Sequence, residues 1–84
     1  MILKAFAVHD SKAGAYLRPF FEISKGSAIR AISDAVNTPD HQFNRHAADF
    51  TLFEIGGYDD ATGDLTAVPH VNLGCLIEML ETPD

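Results

Sequence analysis

The spacing of apolar residues changes at Ser24, and this change limits what the first half of the chain can form. From Ala15 to Ile23 apolar side chains occupy alternate positions, which is the period of a β-strand. After Ser24 they recur every three or four residues as far as Val36, which is the period of an α-helix. A chain with both periods in adjacent segments is expected to pack a helix on a sheet.

Two strands are predicted before the helix. Residues 2–9 are mostly apolar, and residues 10–14 have the composition of a turn that ends in Gly14. Residues 15–23 then return as a second strand, with Ala15, Leu17, Phe21 and Ile23 facing the core. Pro19 has no N–H to donate, so this strand is expected to lie at a sheet edge or to contain a bulge.

Ser24 is a suitable N-cap for the helix, and residues 37–39 are expected to end it. Residues 40–49 form a polar connection in which Phe43 holds a turn of helix. A third strand is predicted at residues 50–55, ended by Gly56 and Gly57. An acidic turn at residues 59–64 leads to the next segment.

The fourth strand is predicted near residues 65–68, closed by Pro69. Asn72 can cap a last helix whose apolar face contains Leu73, Leu76, Ile77 and Leu80. The predicted fold is therefore α+β, a small antiparallel sheet with two helices in the order ββαββα. Residues 1–84 are taken as a single domain, because 84 residues leave no room for a second core.

Composition places the chain among small globular proteins. Apolar residues make up 46% of it, too many for a disordered tail, and no apolar run approaches the roughly 20 residues that cross a bilayer. Cys75 is the only cysteine, which suits a reducing cytosol, and no signal peptide is predicted. A small core without a disulfide also makes a homodimer plausible.

Charge is distributed unevenly along the chain. Residues 1–45 hold all six basic side chains against four acids, whereas residues 46–84 hold eight acids and no Lys or Arg. Phosphate binding requires clustered cations, so any contact with DNA is expected from the first half. The acidic half indicates a surface for protein partners or for solvent, and its charge also keeps a small protein soluble.

The candidates for catalysis and metal binding are weak. Cys75 lies in an apolar pattern without neighbouring cations, so it is interpreted as a packing residue and not as a nucleophile. His41 and His46 do not have a zinc-ligand spacing, and the acidic turn lacks the twelve-residue calcium frame. No Gly-rich phosphate loop is present. We therefore predict a protein that is not an enzyme and has no metal or other cofactor.

One row of residues has the character of a nucleic-acid surface. In a regular strand Tyr16, Arg18 and Phe20 project from the same side, about 7 Å apart. Aromatic rings that stack on bases and a cation that meets phosphate are the elements of single-stranded DNA binding. The predicted nucleic-acid-binding residues are Lys4, Lys12, Tyr16, Arg18, Phe20 and Lys25. The alternative is that Tyr16 and Phe20 are covered by a helix or by a partner subunit.

Several segments of the chain form a distinctive series. Residues 10–21 read DSKAGAYLRPFF, and residues 28–37 contain AIRA and DAVN. Residues 43–53 contain FNRH and DFTLF, and the acidic turn and the closing NLG at residues 72–74 follow them. In these segments and in their order the chain resembles the small non-structural protein of gokushoviruses, which are single-stranded DNA phages of the Microviridae, and residues 10–21 look like its signature segment.

The resemblance implies a non-structural, non-enzymatic replication accessory in the host bacterial cytoplasm. Such a protein is described as binding DNA, or as promoting single-stranded viral genome synthesis. The partners implied are single-stranded DNA, the viral replication initiator or a host replication protein, with no membrane. Because the chain is acidic overall, the alternative is an acidic protein–protein adaptor that engages a viral or host factor without touching DNA.

Overall fold

The described helices pack on one side of an antiparallel sheet. The computed structural model describes residues 1–81. Its strands are β1 (Ile2–Asp10), β2 (Ala15–Tyr16), β3 (Phe20–Glu22), β4 (Phe50–Asp59) and β5 (Asp64–Cys75). Both β2 and β3 pair with one edge of β1, β4 pairs with the other edge, and β5 lies outside β4. The α+β class and the antiparallel sheet are thus confirmed.

Two α-helices connect β3 to β4. They are α1 (Lys25–Val36) and α2 (Gln42–Arg45), and a 3₁₀ turn at Ala47–Asp49 follows them. The predicted N-cap is confirmed, because the Ser24 hydroxyl accepts a hydrogen bond from the N–H of Ser27 at 3.1 Å. None of the helices described in residues 1–81 is long and apolar enough to cross a membrane.

The core lies between the helices and one face of the sheet. Phe6 and Val8 of β1 and Leu52 of β4 meet Ile32 of α1, and all four are buried. Phe43 of α2 packs against the Phe50 ring, with centroids 4.9 Å apart, which confirms its predicted role. Since cross-strand neighbours share a face, these residues define the helix-covered face of the sheet.

The last predicted helix does not form, so the order ββαββα is only roughly matched. Instead β5 continues to Cys75, and only a 3₁₀ turn follows at Leu76–Met79. Asn72, predicted as a helix cap, pairs with Phe53 in the sheet. The apolar residues near the end of the chain have helical spacing although they form no α-helix. Leu73 lies at a bulge of β5 and Leu76 in the 3₁₀ turn, and both pack on the same core.

Strands β4 and β5 are longer than predicted. Gly56 was expected to end β4, yet the strand continues to Asp59, and β5 runs through Pro69. A Cβ atom on Gly56 would lie 2.3 Å from the carbonyl oxygen of Thr66, so glycine permits the two backbones to approach closely here. Pro69 lies at a bulge of the edge strand, where a missing N–H breaks no ladder bond.

The second predicted strand is broken by a bulge, as Pro19 suggested. His9 pairs with Tyr16 and Phe6 with Phe20, so a step of three residues on β1 is matched by four on the neighbouring segment. One extra residue reverses the facing of every side chain beyond it. Phe21 and Ile23 were therefore predicted wrongly as core residues; both are exposed.

Candidate functional site

The face of the sheet that no described helix covers is the candidate site, and we call it the open face. A residue is assigned to this face if its side chain alternates with the core residues along its strand, or if it pairs across strands with a residue already assigned. They are Leu3, Ala5, Ala7, His9, Tyr16, Phe21, Thr51, Phe53, Gly56, Tyr58, Leu65, Ala67, His70 and Asn72.

Aromatic residues divide evenly between the two faces. The chain has six Phe and two Tyr. Four of them belong to the core or pack against it: Phe6, Phe20, Phe43 and Phe50. The other four lie on the open face: Tyr16, Phe21, Phe53 and Tyr58. A sheet face with four aromatic rings and no helix over it is a surface for stacking or for burial against a partner.

Tyr16 is the centre of the larger aromatic cluster on this face. Its ring centroid lies 4.8 Å from that of His9, 5.7 Å from Phe53 and 5.4 Å from His70. Its hydroxyl lies 3.2 Å from Nδ1 of His70. Tyr16 nevertheless remains 44% exposed, so part of it is accessible to a ligand.

A smaller cluster lies nearer the tip of the β4–β5 hairpin. The rings of Phe21 and Tyr58 have centroids 5.4 Å apart, and Leu65 stands opposite Tyr58 in the register. Between the two clusters the sheet has small residues, Ala5 and Gly56 among them, which form a shallow depression of about 290 Å³. Phe21 pairs with Ala5 and Tyr16 with His9, so about 13 Å of β1 separates the clusters.

The open face is uncharged except for what its histidines carry. Among the residues of 1–81 assigned to it, none is Lys, Arg, Asp or Glu. The acids of β4 and β5 are elsewhere: Glu54 pairs with Phe6 on the helix-covered face, and Asp59 stands opposite Asp64 at the hairpin tip. The acids of these two strands therefore lie away from the open face.

The structure separates the predicted nucleic-acid row, and the prediction that its members share one side is wrong. Tyr16 is on the open face, whereas Phe20 stacks on Phe6 in the core, with centroids 5.7 Å apart. Arg18 lies in the bulge between them and lines a groove on the helix side. The cause is the extra residue of the bulge, which reverses the facing of the strand.

The three predicted lysines also lie apart. Lys4 is on the helix-covered face, where its Nζ is 3.9 Å from a carboxylate oxygen of Glu54. Lys12 lies in the turn between β1 and β2, and its backbone N–H donates to the Asp10 side chain. Lys25 begins α1. Of the six predicted residues, only Tyr16 belongs to the open face; DNA contact by each of them stays a prediction.

Sequence reasoning missed the other members of the open face. Phe53 and Tyr58 were assigned no role. The alternation of side chains along β4 would nevertheless have placed Phe53 on the face of the sheet that the buried Leu52 does not occupy. His70 could not be found this way, because a bulge interrupts the register of β5 between Ala67 and Val71.

His41 and the cysteine contact nearby backbone groups. His41 caps α2, since its Nδ1 accepts the N–H of Phe43 at 3.0 Å. Cys75 lies at the end of β5 and not in a helix, with its Sγ 3.6 Å from the carbonyl oxygens of Ala47 and Ala48. Within residues 1–81 no three His, Cys, Asp or Glu side chains are grouped so as to hold a metal ion.

Comparison with known proteins gives one match that covers most of the chain. The family model described as phage ORF5 protein matches residues 3–79. The chain belongs to the phage ORF5 protein family. It is therefore a small phage protein, and the ORF5 match includes every residue assigned to the open face. No curated protein and no solved structure shows a significant match to it.

Proposed function

We propose that this ORF5 protein is a non-enzymatic replication accessory of a Microviridae phage of the gokushovirus type, and that it binds single-stranded DNA on its open face in the host cytoplasm. The observation that carries the proposal is the exposed aromatic cluster around Tyr16 on a sheet face without helices. Bases released from a duplex expose flat apolar faces, and stacking on aromatic side chains contributes about 1–3 kcal/mol per base.

Two aromatic clusters about 13 Å apart suit an extended strand better than a folded ligand. A single strand laid along β1 and β4 would place one base near Tyr16 and Phe53, and another near Phe21 and Tyr58. The absence of acids from the open face, among the residues described, reduces the repulsion that the chain's net charge causes, because salt screens the more distant acids. Binding of this kind holds displaced single strands and so promotes synthesis of the single-stranded genome.

The expected binding is driven by stacking, with few phosphate contacts. The open face, as assigned, has no Lys or Arg. The cations nearest to it in sequence are Lys4, between Leu3 and Ala5, and Arg18, two residues after Tyr16, and both lie on the helix side of the sheet. We therefore expect the logarithm of the affinity to fall only slowly with the logarithm of salt concentration, with a slope of about −0.7 to −1.4 for one or two neutralised phosphates.

A titration of labelled oligothymidylate with the purified protein tests the proposal. Fluorescence anisotropy is followed from low to physiological salt, and the slope counts the phosphates neutralised. Saturable binding with a shallow slope supports stacking on the open face. No binding even at low salt would rule out direct contact with DNA.

A second candidate function follows from the hairpin tip. Asp59, Asp60 and Asp64 are gathered in one exposed turn, and an acidic protrusion suits a basic surface on the replication initiator or a host factor. This adaptor predicts no DNA affinity at physiological salt. It also predicts that replacing the three acids with Asn abolishes capture of the replication initiator. Binding of DNA on the open face predicts instead that the same replacement leaves oligothymidylate affinity unchanged or strengthens it.

A further inference from the structure

A groove on the helix side of the sheet forms a second surface, separate from the open face. The bulge between β2 and β3 leaves a gap beside α1 and α2, with a cavity volume of about 350 Å³. It is lined by Val8, Leu17, Arg18, Phe20, Ile32, Gln42 and Phe43. We call it the Arg18 groove.

Core residues form the floor of the Arg18 groove. Val8, Ile32 and Phe43 are 2%, 7% and 8% exposed, and all three belong to the main apolar cluster. Leu17 and Phe20 pack against that cluster and are only partly buried. The bulge thus brings solvent close to the hydrophobic core instead of sealing it with a regular strand. An apolar side chain inserted there would gain contacts with the core.

The rim of the Arg18 groove is cationic. Arg18 is exposed and is the only charged residue among those that line it. Within residues 1–81 its guanidinium takes part in no ion pair, since the two ion pairs of this part involve the amino terminus and Lys4. Gln42 adds a neutral amide at the same groove. A guanidinium beside an amide is well suited to a carboxylate, because both can donate hydrogen bonds to its oxygens.

We infer that the Arg18 groove binds a short acidic–apolar peptide segment of a partner protein, with an apolar side chain on the floor and a carboxylate at Arg18. The groove is lined only by residues of the segment 8–43, which holds four basic and four acidic side chains, and Arg18 is the one charged residue of its lining. Charge complementarity therefore favours an acidic segment there, although the whole chain is acidic. One apolar anchor with one charged contact gives weak, reversible capture.

A peptide titration tests this inference. The probe is a fluorescein-labelled peptide of three aspartates followed by isoleucine and a free C-terminal phenylalanine, titrated with the whole chain by anisotropy. We expect binding in the micromolar range, and at least a tenfold loss with Arg18→Glu. Arg30→Glu is the matched control, because it makes the same charge change at an exposed position of α1 that does not line the groove. It should change the affinity by less than threefold.

The role of the groove floor is tested by changing the peptide, because replacing a core residue of the protein could unfold it. Replacing the C-terminal phenylalanine of the peptide with alanine should weaken binding at least tenfold. Equal losses with Arg18→Glu and Arg30→Glu would show attraction by net charge alone and would overturn the inference. The inference would also be overturned if the peptide did not bind at millimolar protein. A third contradicting result would be an Arg18→Glu variant that no longer binds oligothymidylate but still binds the peptide, since Arg18 would then be a phosphate contact.

Discussion

The Tyr16 hydroxyl lies 3.2 Å from Nδ1 of His70, although Tyr16 belongs to the first edge of the sheet and His70 to the last. Two strands, β1 and β4, lie between them, so the contact crosses the sheet. It is possible because Ala7 on β1 is small and leaves room above it. Ala7 is only 1% exposed on a face without helices, which is consistent with aromatic rings lying over it.

Gly56 is expected to tolerate no side chain. A Cβ atom there would lie 2.3 Å from the Thr66 carbonyl oxygen, so Gly56→Ala must push the β4 and β5 backbones apart. We expect a loss of about 1–3 kcal/mol in the free energy of unfolding, measured by denaturant titration. Gly57→Ala is the matched control, because its nearest neighbour outside the local chain would be the Leu3 carbonyl oxygen at 3.6 Å. Equal losses in the two variants would contradict the close approach at Gly56.

Asn37 ties the end of the described chain to the end of α1. Its amide Nδ2 donates to the carbonyl oxygens of Ser33 and Met79, and its Oδ1 accepts the N–H of Glu81 at 2.7 Å. Asn37→Ala should therefore lower the free energy of unfolding by about 1–3 kcal/mol and speed hydrogen exchange at the Glu81 amide.

Asn44→Ala is the control for this bridge. Asn44 donates to the carbonyl oxygen of Val36 at 2.8 Å, so its loss also destabilises the helix junction. It leaves the Glu81 amide hydrogen-bonded to Asn37, however, and exchange at that amide should follow only the change in global stability. If exchange at the Glu81 amide were faster by the same factor in both variants, after correction for their global stability, Asn37 would not hold this segment.

The N-cap of α1 makes a measurable contribution to stability. The Ser24 hydroxyl accepts the backbone N–H of Ser27 at 3.1 Å, and the Ser27 hydroxyl accepts the backbone N–H of Ser24 at 3.4 Å. Ser24→Ala should cost about 1 kcal/mol of unfolding free energy, while Ser24→Asp should retain most of it, because a carboxylate also accepts the N–H of Ser27. Thermal unfolding followed by circular dichroism compares the two. A similar Tm for both variants would contradict a capping role.

Two like charges face each other at the hairpin tip. Asp59 stands opposite Asp64 in the register of β4 and β5. Asp64→Asn should raise stability by a few tenths of a kcal/mol at low salt, and the gain should shrink as salt screens the repulsion. Asp60→Asn, which removes the ion pair with the amino terminus, should give no gain. A salt-independent effect of Asp64→Asn would exclude repulsion as its cause.

Local signals in the sequence were sufficient to predict the helix and the turns. They failed to predict which face of the sheet a side chain occupies, because that depends on strand register. Ser24, the apolar spacing to Val36 and the turn before Ala15 each act over a few residues, and the structure contains all three. The facing of Tyr16 relative to Phe20 depends on one extra residue in a bulge. Pro19 indicated that a bulge was plausible, but not how many residues it would contain.

The ends of β4 and β5 show the same limit. Gly56 and Pro69 weaken a strand in isolation, and sequence reasoning ended both strands there. In the folded chain the close approach of Thr66 makes glycine necessary, and an edge position makes proline tolerable. Most of the open face could not be predicted for this reason, because its four Phe and Tyr rings come from β2, β3 and β4, and only the folded sheet defines the register of these three strands.

The most direct measurement is the affinity of Tyr16→Ala and Arg18→Glu for labelled oligothymidylate at physiological salt, beside the unaltered protein. Tyr16 is exposed enough for its removal to leave the fold intact, which far-UV circular dichroism checks. Stacking on the open face predicts at least a tenfold loss for Tyr16→Ala and less than a threefold change for Arg18→Glu. Unchanged affinity of Tyr16→Ala would contradict binding at this face.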